Sequence, residues 1–499
     1  MTKKSIMVQG TSSSCGKSLM VTAFCRIFLQ DGYKVAPFKS QNMALNSYIT
    51  EDGFEMGRAQ VVQAEASRLK PRVEMNPILL KPTTDKKAQI ILEGKVFKNM
   101  DAKDYFEYKK SLILLIKKNF DALQDEFNMI VIEGAGSPAE INLKENDIVN
   151  MGVAQLTDSP VILVSDIDRG GVFASIVGTI FLLTEEEKKR IKGIIINKFR
   201  GDLNILKPGI DKLEEIIKIP VLGVVPYLDV KIEDEDSVTN KFNSSNNKGN
   251  INIVVIKLPH ISNFTDFDVF GLFPEVNLRY VSTNEEIGSP DILIIPGTKN
   301  TIEDLIFLKE RGIDKKIISL QKEGKIIAGI CGGFQMLGKK IQDPYSVESS
   351  INEITGLGLL DIETIMLKEK VTKQITCKII KHDGIFTGNY NDIIDGYEIH
   401  MGETSKKSDG ENFLDVSDRV ISLVKNNVFG TYIHGFFDNT EFTKKILNNI
   451  QKQKGSSIIG EVLDYKEFKD KEYDKLADIV RKSVDMEKIY QILEGKNVF

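Results

Sequence analysis

The chain has 499 residues, room for two to four domains at roughly 150 residues each. Hydrophobic residues make up 41% and charged residues 27%, a globular balance that excludes a disordered or fibrous chain. Its 66 basic and 71 acidic residues leave a net charge of −5. That argues against a nucleic-acid partner held by bulk positive charge, while leaving room for a small basic pocket for phosphates.

The N-terminal MTKKSIMVQG passes from two lysines directly into a strand-like run, without the apolar core and small-residue cleavage site of a signal peptide. SIMVQG reads as a strand, Lys17 to Gln30 as a helix ended by Asp31-Gly32, and YKVAPFK as a second strand. NMIVIEGAG, PVILVSDID, KGIIINKF and PVLGVVPY follow as continuous Val/Ile-rich runs, the pattern of strands buried on both faces of a parallel sheet. Helical stretches separate most of them, which predicts a doubly wound α/β domain over 1–232. From 233 to 250 the chain turns to EDEDSVTNKFNSSNNKGN, poor in aliphatics, and is expected to be a linker. NIVVIKLP, DILIIPG, KIIAGIC and VFGTYIHG then restart the pattern and predict a second α/β domain over 251–440. The charged tail, 441–499, carries Leu476, Ile479, Val480, Val484 and Ile489 at helical spacing and is expected to pack on that second domain.

No apolar run approaches the roughly 18 residues of a membrane span. Cys15, Cys25, Cys331 and Cys377 are scattered without a CxxC, which gives neither a zinc site nor a disulfide framework. A cytoplasmic, reducing compartment with no nucleic-acid or membrane partner is the expectation.

The first strand runs into Gly10-Thr11-Ser12-Ser13-Ser14-Cys15-Gly16-Lys17-Ser18 and then a helix. Strand, glycine-bounded loop and helix N-terminus make a phosphate cradle of backbone N–H groups, with Lys17 on the outer phosphates and Ser18 on Mg²⁺. Five residues separate the glycines where the standard loop has four. Cys15 reads as a small filler within the loop. Glu133, ending a buried strand, is the carboxylate expected to complete the metal site with Ser18. Asp166 and Asp168 end another strand on what should be the same carboxyl edge, where ligands of open α/β sheets bind. They are candidates for the substrate side, against the plainer reading of a helix cap or a pair with Arg169. Asn197, also at a strand end, is a candidate contact for the adenine base.

KIIAGICGGFQMLGKKI places Cys331 in a sharp strand-to-helix turn flanked by Gly329, Gly332 and Gly333. That is what a nucleophile elbow needs. His434, in VFGTYIHGFFDN, is the expected base for a Cys–His pair that forms a covalent acyl-enzyme. The oxyanion donors are expected from the Gly332 N–H and a backbone N–H of the turn at Gly297-Thr298. Cys25 and Cys377 read as core fillers. His400 is placed at the cleft or on substrate, and His260 and His382 are left unassigned.

GICGGFQMLG with a downstream YIHG resembles the class I glutamine amidotransferases, in which a cysteine hydrolyses glutamine to release ammonia. Most of them carry a glutamate two residues after the histidine; here that position is Phe436, so the sequence leaves open what orients His434. The first half is similar to dethiobiotin synthetase-like ATPases, which share the five-residue loop spacing. The fusion, with PFKSQNMALNSYIT, GRAQVVQAEA, NPILLKPT, SDIDRGGVFASIVGT, INKFRGD, KLPHISNFTDFD and PGTKNTIEDL, resembles the cobyric acid synthase family up to about residue 440.

The resemblance implies ATP and Mg²⁺ as cofactors and a corrinoid as substrate. ATP phosphorylates a side-chain carboxylate, Cys331 releases ammonia from glutamine, and ammonia displaces the phosphate. In the family, the b, d, e and g carboxylates of adenosylcobyrinic acid a,c-diamide become carboxamides. On this reading Asn42, Asn46, Asp166 and Asp168 are candidates for the corrinoid side. The same chemistry on other carboxylates, as in cobyrinic acid a,c-diamide synthase or a cell-wall amide ligase, is the nearest alternative. Outside enzymes, the alternatives are a regulatory P-loop ATPase with a degenerate amidotransferase domain and a corrinoid-binding protein.

Overall fold

A computed structural model describes residues 3–84, 87–233, 249–381, 383–407, 410–416, 418–496 and 498. The chain forms two compact units, one of residues 1–44, 56–233 and 469–499, the other of residues 45–55 and 234–468. Residues 234–248 of the expected linker, and His382, lie outside the described residues.

The first unit is built on a six-stranded parallel sheet. Its spatial order is Val221–Pro226, Ile191–Phe199, Val161–Asp166, Lys4–Gly10, Met129–Glu133 and Val35–Phe38. Ile6, Val8, Val131, Ile162, Val164 and Ile195 are fully buried. Strands covered on both faces in this way explain the unbroken aliphatic runs. The helix Lys17–Gln30 leaves the central strand through the phosphate loop and stops at Asp31-Gly32, where the sequence places its end. A separate four-stranded sheet, Gln41–Met43, Ile78–Thr84, Lys87–Leu92 and Lys95–Asp101, also belongs to this unit.

The tail departs from expectation. Residues 469–499 belong to the first unit, not the second. The helices Tyr465–Ser483 and Met486–Leu493 place Leu476, Ala477, Val480, Val484, Ile489 and Ile492 in one buried cluster with Phe24, Cys25 and Phe28. An apolar stripe at helical spacing announces burial but not its partner. Arg26, only 1% exposed, fixes the dock: it donates to Asp474 at 2.8 Å, to the Asp470 backbone at 3.0 Å and to the Ala66 carbonyl at 3.2 Å. Arg26→Ala removes a buried charge whose carboxylate partners remain partly solvated. The expected cost is about 2 kcal/mol, read as a fall of roughly 4–8 °C in the unit's thermal midpoint.

The second unit holds a six-stranded sheet. Its order is Val276–Val281, Ile251–Ile256, Ile292–Ile295, Ile326–Ile330, Val428–Thr431 and Ser422–Lys425, with only the last pair antiparallel. Beside it runs a five-stranded sheet dominated by the antiparallel pair Ile362–Lys378 and Ile393–Lys406. The short strand Ile433–His434 pairs with this sheet and sets His434 opposite Tyr397. Residues 45–55, expected in the first domain, fall in this unit. Tyr48 and Ile49 pack with Tyr397 and Ile399, and the Ser47 backbone exchanges hydrogen bonds with the Asn263 amide at 3.1 and 3.2 Å.

Candidate active sites

In the first unit the loop after Lys4–Gly10 turns at Gly16, whose φ is 101°. A Cβ on Gly16 would stand 2.0 Å from Asn197 Nδ2. The Lys17 ammonium donates to the carbonyls of Ser12 and Gly136 at 3.0 and 3.1 Å. Cys15 is fully buried, its sulfur occupying the space a Gly10 Cβ would take, which fits the filler reading. Asn197 donates to the Cys15 carbonyl at 2.9 Å, bracing the loop, while its buried Oδ1 has no hydrogen-bond partner among the described residues. An adenine amino group is the kind of donor that such an acceptor takes. Gly16→Ala combines a left-handed backbone with a collision. Nucleotide binding is expected to weaken by roughly a hundredfold in a fluorescent-nucleotide titration.

Glu133 is buried at the end of its strand. Its Oε1 accepts from Ser18 Oγ at 2.9 Å and lies 2.9 Å from Lys39 Nζ, and Gln63 donates to Oε2. A hydroxyl and a carboxylate meeting at the loop suit Mg²⁺, which takes one or two protein oxygens beside waters and phosphates. Asp166 and Asp168 do stand on the same carboxyl edge, but both are engaged by cations. Asp166 lies 2.8 Å from Lys198 Nζ and 4.0 Å from Arg169, and Asp168 lies 3.1 Å from Arg200. Asn42 is buried and donates to Gln60 at 3.1 Å. Asn46 falls with residues 45–55 in the other unit.

In the second unit Cys331 sits between the strand Ile326–Ile330 and the short helix Gly332–Leu337, with φ 52° and ψ −108°. Such a backbone costs a non-glycine residue on the order of 1–3 kcal/mol. It is held by the Cys331 N–H donating to the Thr431 carbonyl at 2.8 Å. Close packing demands the glycine at 333, where a Cβ would come 1.9 Å from the Ile295 carbonyl oxygen. The turn at Gly297-Thr298 backs this elbow. A Gly332 Cβ would lie 3.3 Å from Thr298 N, and a Gly297 Cβ would lie 3.0 Å from His434 Cε1.

His434 is buried, and its Nδ1 lies 2.7 Å from Asp266 Oδ2. The other Asp266 oxygen accepts from the Gly435 N–H at 3.0 Å, fixing the carboxylate against the ring. With Nδ1 on Asp266, Nε2 is the ring nitrogen left for proton transfer, while the Cys331 sulfur donates to the Ile399 carbonyl at 3.6 Å and stands near enough to His434 to act on its charge. Tyr397 stacks on the ring with centroids 5.4 Å apart. Burial pulls the His434 pKa down, but Asp266 and then Cys331 outweigh it and raise it to about 10. By contrast, burial pushes the thiols of Cys25 and Cys377 up to about 12, leaving them protonated and inert.

Asp266 answers what orients His434, and the sequence reading missed it although KLPHISNFTDFD had been singled out. The available sign was an acid set among Phe264 and Phe267, since a buried carboxylate needs a partner. His260 lies 2.7 Å from the fully buried Asp304, which also accepts from Thr298 Oγ1, so the pair steadies the Gly297-Thr298 turn. His400 stacks on Tyr432 at 3.8 Å and lies 3.2 Å from Glu398, which Arg419 grips through both oxygens. Gln335 links Thr301 at 3.1 Å to Tyr432 at 3.1 Å beneath the elbow.

Residues 6–239 match the family described as CobQ/CobB/MinD/ParA nucleotide binding domain, and residues 252–442 match the CobB/CobQ-like glutamine amidotransferase domain. The chain is 56% identical to the cobyric acid synthase of Thermoanaerobacter sp. (strain X514), covering 98% of each chain. It is 54% identical to that of Clostridium novyi (strain NT), covering 99% of this chain and 98% of the relative. Among solved structures, PurLQS from Thermotoga maritima is similar over 40% of this chain and 99% of its own, at 19% identity and a TM-score of 0.32. Among the described residues, no helix is long and apolar enough to cross a membrane.

Proposed function

The chain belongs to the cobyric acid synthase family, and from that premise we propose that it amidates the b, d, e and g carboxylates of adenosylcobyrinic acid a,c-diamide to give adenosylcobyric acid. The observation that carries the reading is the Cys331–His434–Asp266 line in a chain that also holds a phosphate loop closed by Glu133.

In the second unit the Cys331 sulfur attacks the glutamine side-chain amide. The oxyanion forms beside Gly332 and the Gly297-Thr298 turn, where backbone N–H groups stabilise charge that develops only in the transition state. His434 passes its proton to the departing nitrogen, and Asp266 holds the ring in the tautomer that allows this. Ammonia leaves, and water releases glutamate from the thioester.

In the first unit the backbone of residues 11–16 and Lys17 cradle the phosphates, and Asn197 meets the base. Ser18 and Glu133 would hold Mg²⁺, which supplies charge neutralisation at the phosphates. A carboxylate is a poor electrophile, and phosphorylation gives it a leaving group that ammonia displaces.

The test is mass spectrometry of the corrinoid after incubation with glutamine and Mg·ATP. Four successive losses of about one dalton from cobyrinic acid a,c-diamide are expected, each exchanging a hydroxyl for an amine. An unchanged a,c-diamide, with amidation of cobyrinic acid itself at two positions, would transfer the assignment to the a,c-diamide chemistry.

A further inference from the structure

Three buried residues of the second unit, Ser47, Asn263 and Tyr397, form a knot that reaches both members of the Asp266–His434 pair. Asn263 stands in the left-handed region, φ 50° and ψ 37°, just before the short helix Phe264–Leu272 that carries Asp266. Its carbonyl accepts from the Asp266 N–H at 3.0 Å. Its side-chain Nδ2 donates to the Tyr397 hydroxyl at 2.9 Å and to the Ser47 carbonyl at 3.1 Å, and its Oδ1 accepts from the Ser47 N–H at 3.2 Å. The Tyr397 hydroxyl donates to the same Ser47 carbonyl at 3.1 Å. Ser47 belongs to the segment 45–55, 216 residues before Asn263. That segment is also anchored away from the knot. Thr372 donates to the Gly53 carbonyl at 2.8 Å, and Gln374 donates to the Ile49 carbonyl.

We infer that residues 45–55 belong to the thiol site, and that they act on His434 through two positioning residues, Asn263 and Tyr397. The inference rests on the glutaminase reading of Cys331 and His434 and adds the elements that aim the base. An imidazole that passes a proton must keep one tautomer and one plane. Asp266 fixes the tautomer through Nδ1. Tyr397 fixes the plane, its ring lying 5.4 Å from the imidazole and within 24° of parallel. Neither is self-supporting. Asp266 rides on a helix that starts at Asn263, and Tyr397 sits on a strand joined to Ile433–His434 through only two residue pairs. The Ser47 peptide unit is the point common to both. Apolar contact from Tyr48 and Ile49 would bury the Tyr397 ring in any rotation about its own axis. The hydroxyl and the amide add direction, and a buried polar network with its partners in place holds a single arrangement.

Glutamate release from glutamine by the full chain, with Mg·ATP and cobyrinic acid a,c-diamide present, tests the assignment. Tyr397→Phe keeps the stacked ring and removes both hydroxyl bonds. Its kcat is expected to fall about tenfold with the glutamine KM within about twofold. Tyr397→Leu, which also loses the ring, is expected to fall about a hundredfold. Asn263→Gly keeps the left-handed backbone and deletes the amide, for a fall of about thirtyfold. Thr372→Val combined with Gln374→Met frees residues 45–55 without touching the knot, for a fall of roughly three- to fivefold. A cooperative thermal transition and unchanged fluorescent-nucleotide affinity certify the fold of each variant. Wild-type kcat in any of these folded proteins, or a loss confined to KM, overturns the positioning role and leaves the glutaminase reading standing. Absence of glutamate release by the wild-type protein overturns both.

Discussion

Cys331→Ser is expected to lower glutamine-dependent amidation by at least about a thousandfold while leaving ammonia-dependent amidation within a few-fold of wild type. A serine hydroxyl is a far weaker nucleophile than the cysteine sulfur it replaces. The site around it is built to fix one sulfur, with a backbone at φ 52° and a histidine near enough to respond to its charge. The substitution removes one atom's reactivity and little volume, so the phosphate loop in the other unit keeps its geometry. The measurement is the rate of corrinoid amidation at saturating glutamine, repeated at high ammonium concentration and mildly alkaline pH. Equal loss with both nitrogen sources would show that the damage is structural and would sink the assignment of Cys331.

Asp266→Asn is the second large effect expected, a fall of about a thousandfold in glutaminase rate. Asparagine preserves size and the hydrogen bond but presents no anion to the ring. His434 can then turn the wrong nitrogen toward Cys331, and the imidazolium loses its principal support. The pH profile carries the same information. His434 is protonated below about 10 and neutral above it, so the proton it gives to departing ammonia is lost as pH rises through that value. The alkaline limb of the wild-type rate is expected near 10, and in Asp266→Asn it moves downward, because Asp266 is the largest of the contributions that raise His434. Stability follows the same sign. A pKa above the ordinary 6.5 contributes stability that is full below 6.5 and lost as pH rises through about 10. An unshifted limb in the variant would show that Asp266 does not govern the ring.

Cys331 and His434 were legible because their local chemistry is local in sequence: glycines around a cysteine after an apolar strand, a histidine and glycine after another. The phosphate loop was legible for the same reason. Asp266 was not, since it lies 168 residues from His434 and nothing nearby fixes the pairing. Asp166 and Asp168 were found on the right edge, but their roles depend on Lys198 and Arg200, which a neighbouring strand brings alongside. The tail shows the limit most plainly. Its spacing gave a helix and a buried stripe, while the choice of unit depended on Arg26 and Phe28, more than 400 residues away.

Residues 45–55 lie with the second unit and residues 469–499 with the first, so neither unit is one continuous stretch. A gene broken within the segment encoding 234–248 would yield two products that each lack part of themselves. The leading product would be missing the helices that cover Phe28, and the trailing one the segment that holds Asn263 and Tyr397. Complementation by the two halves would need each to donate a piece to the other, as in a strand exchange. A single reading frame therefore delivers both units complete, one nucleotide-binding unit to one amidotransferase-like unit.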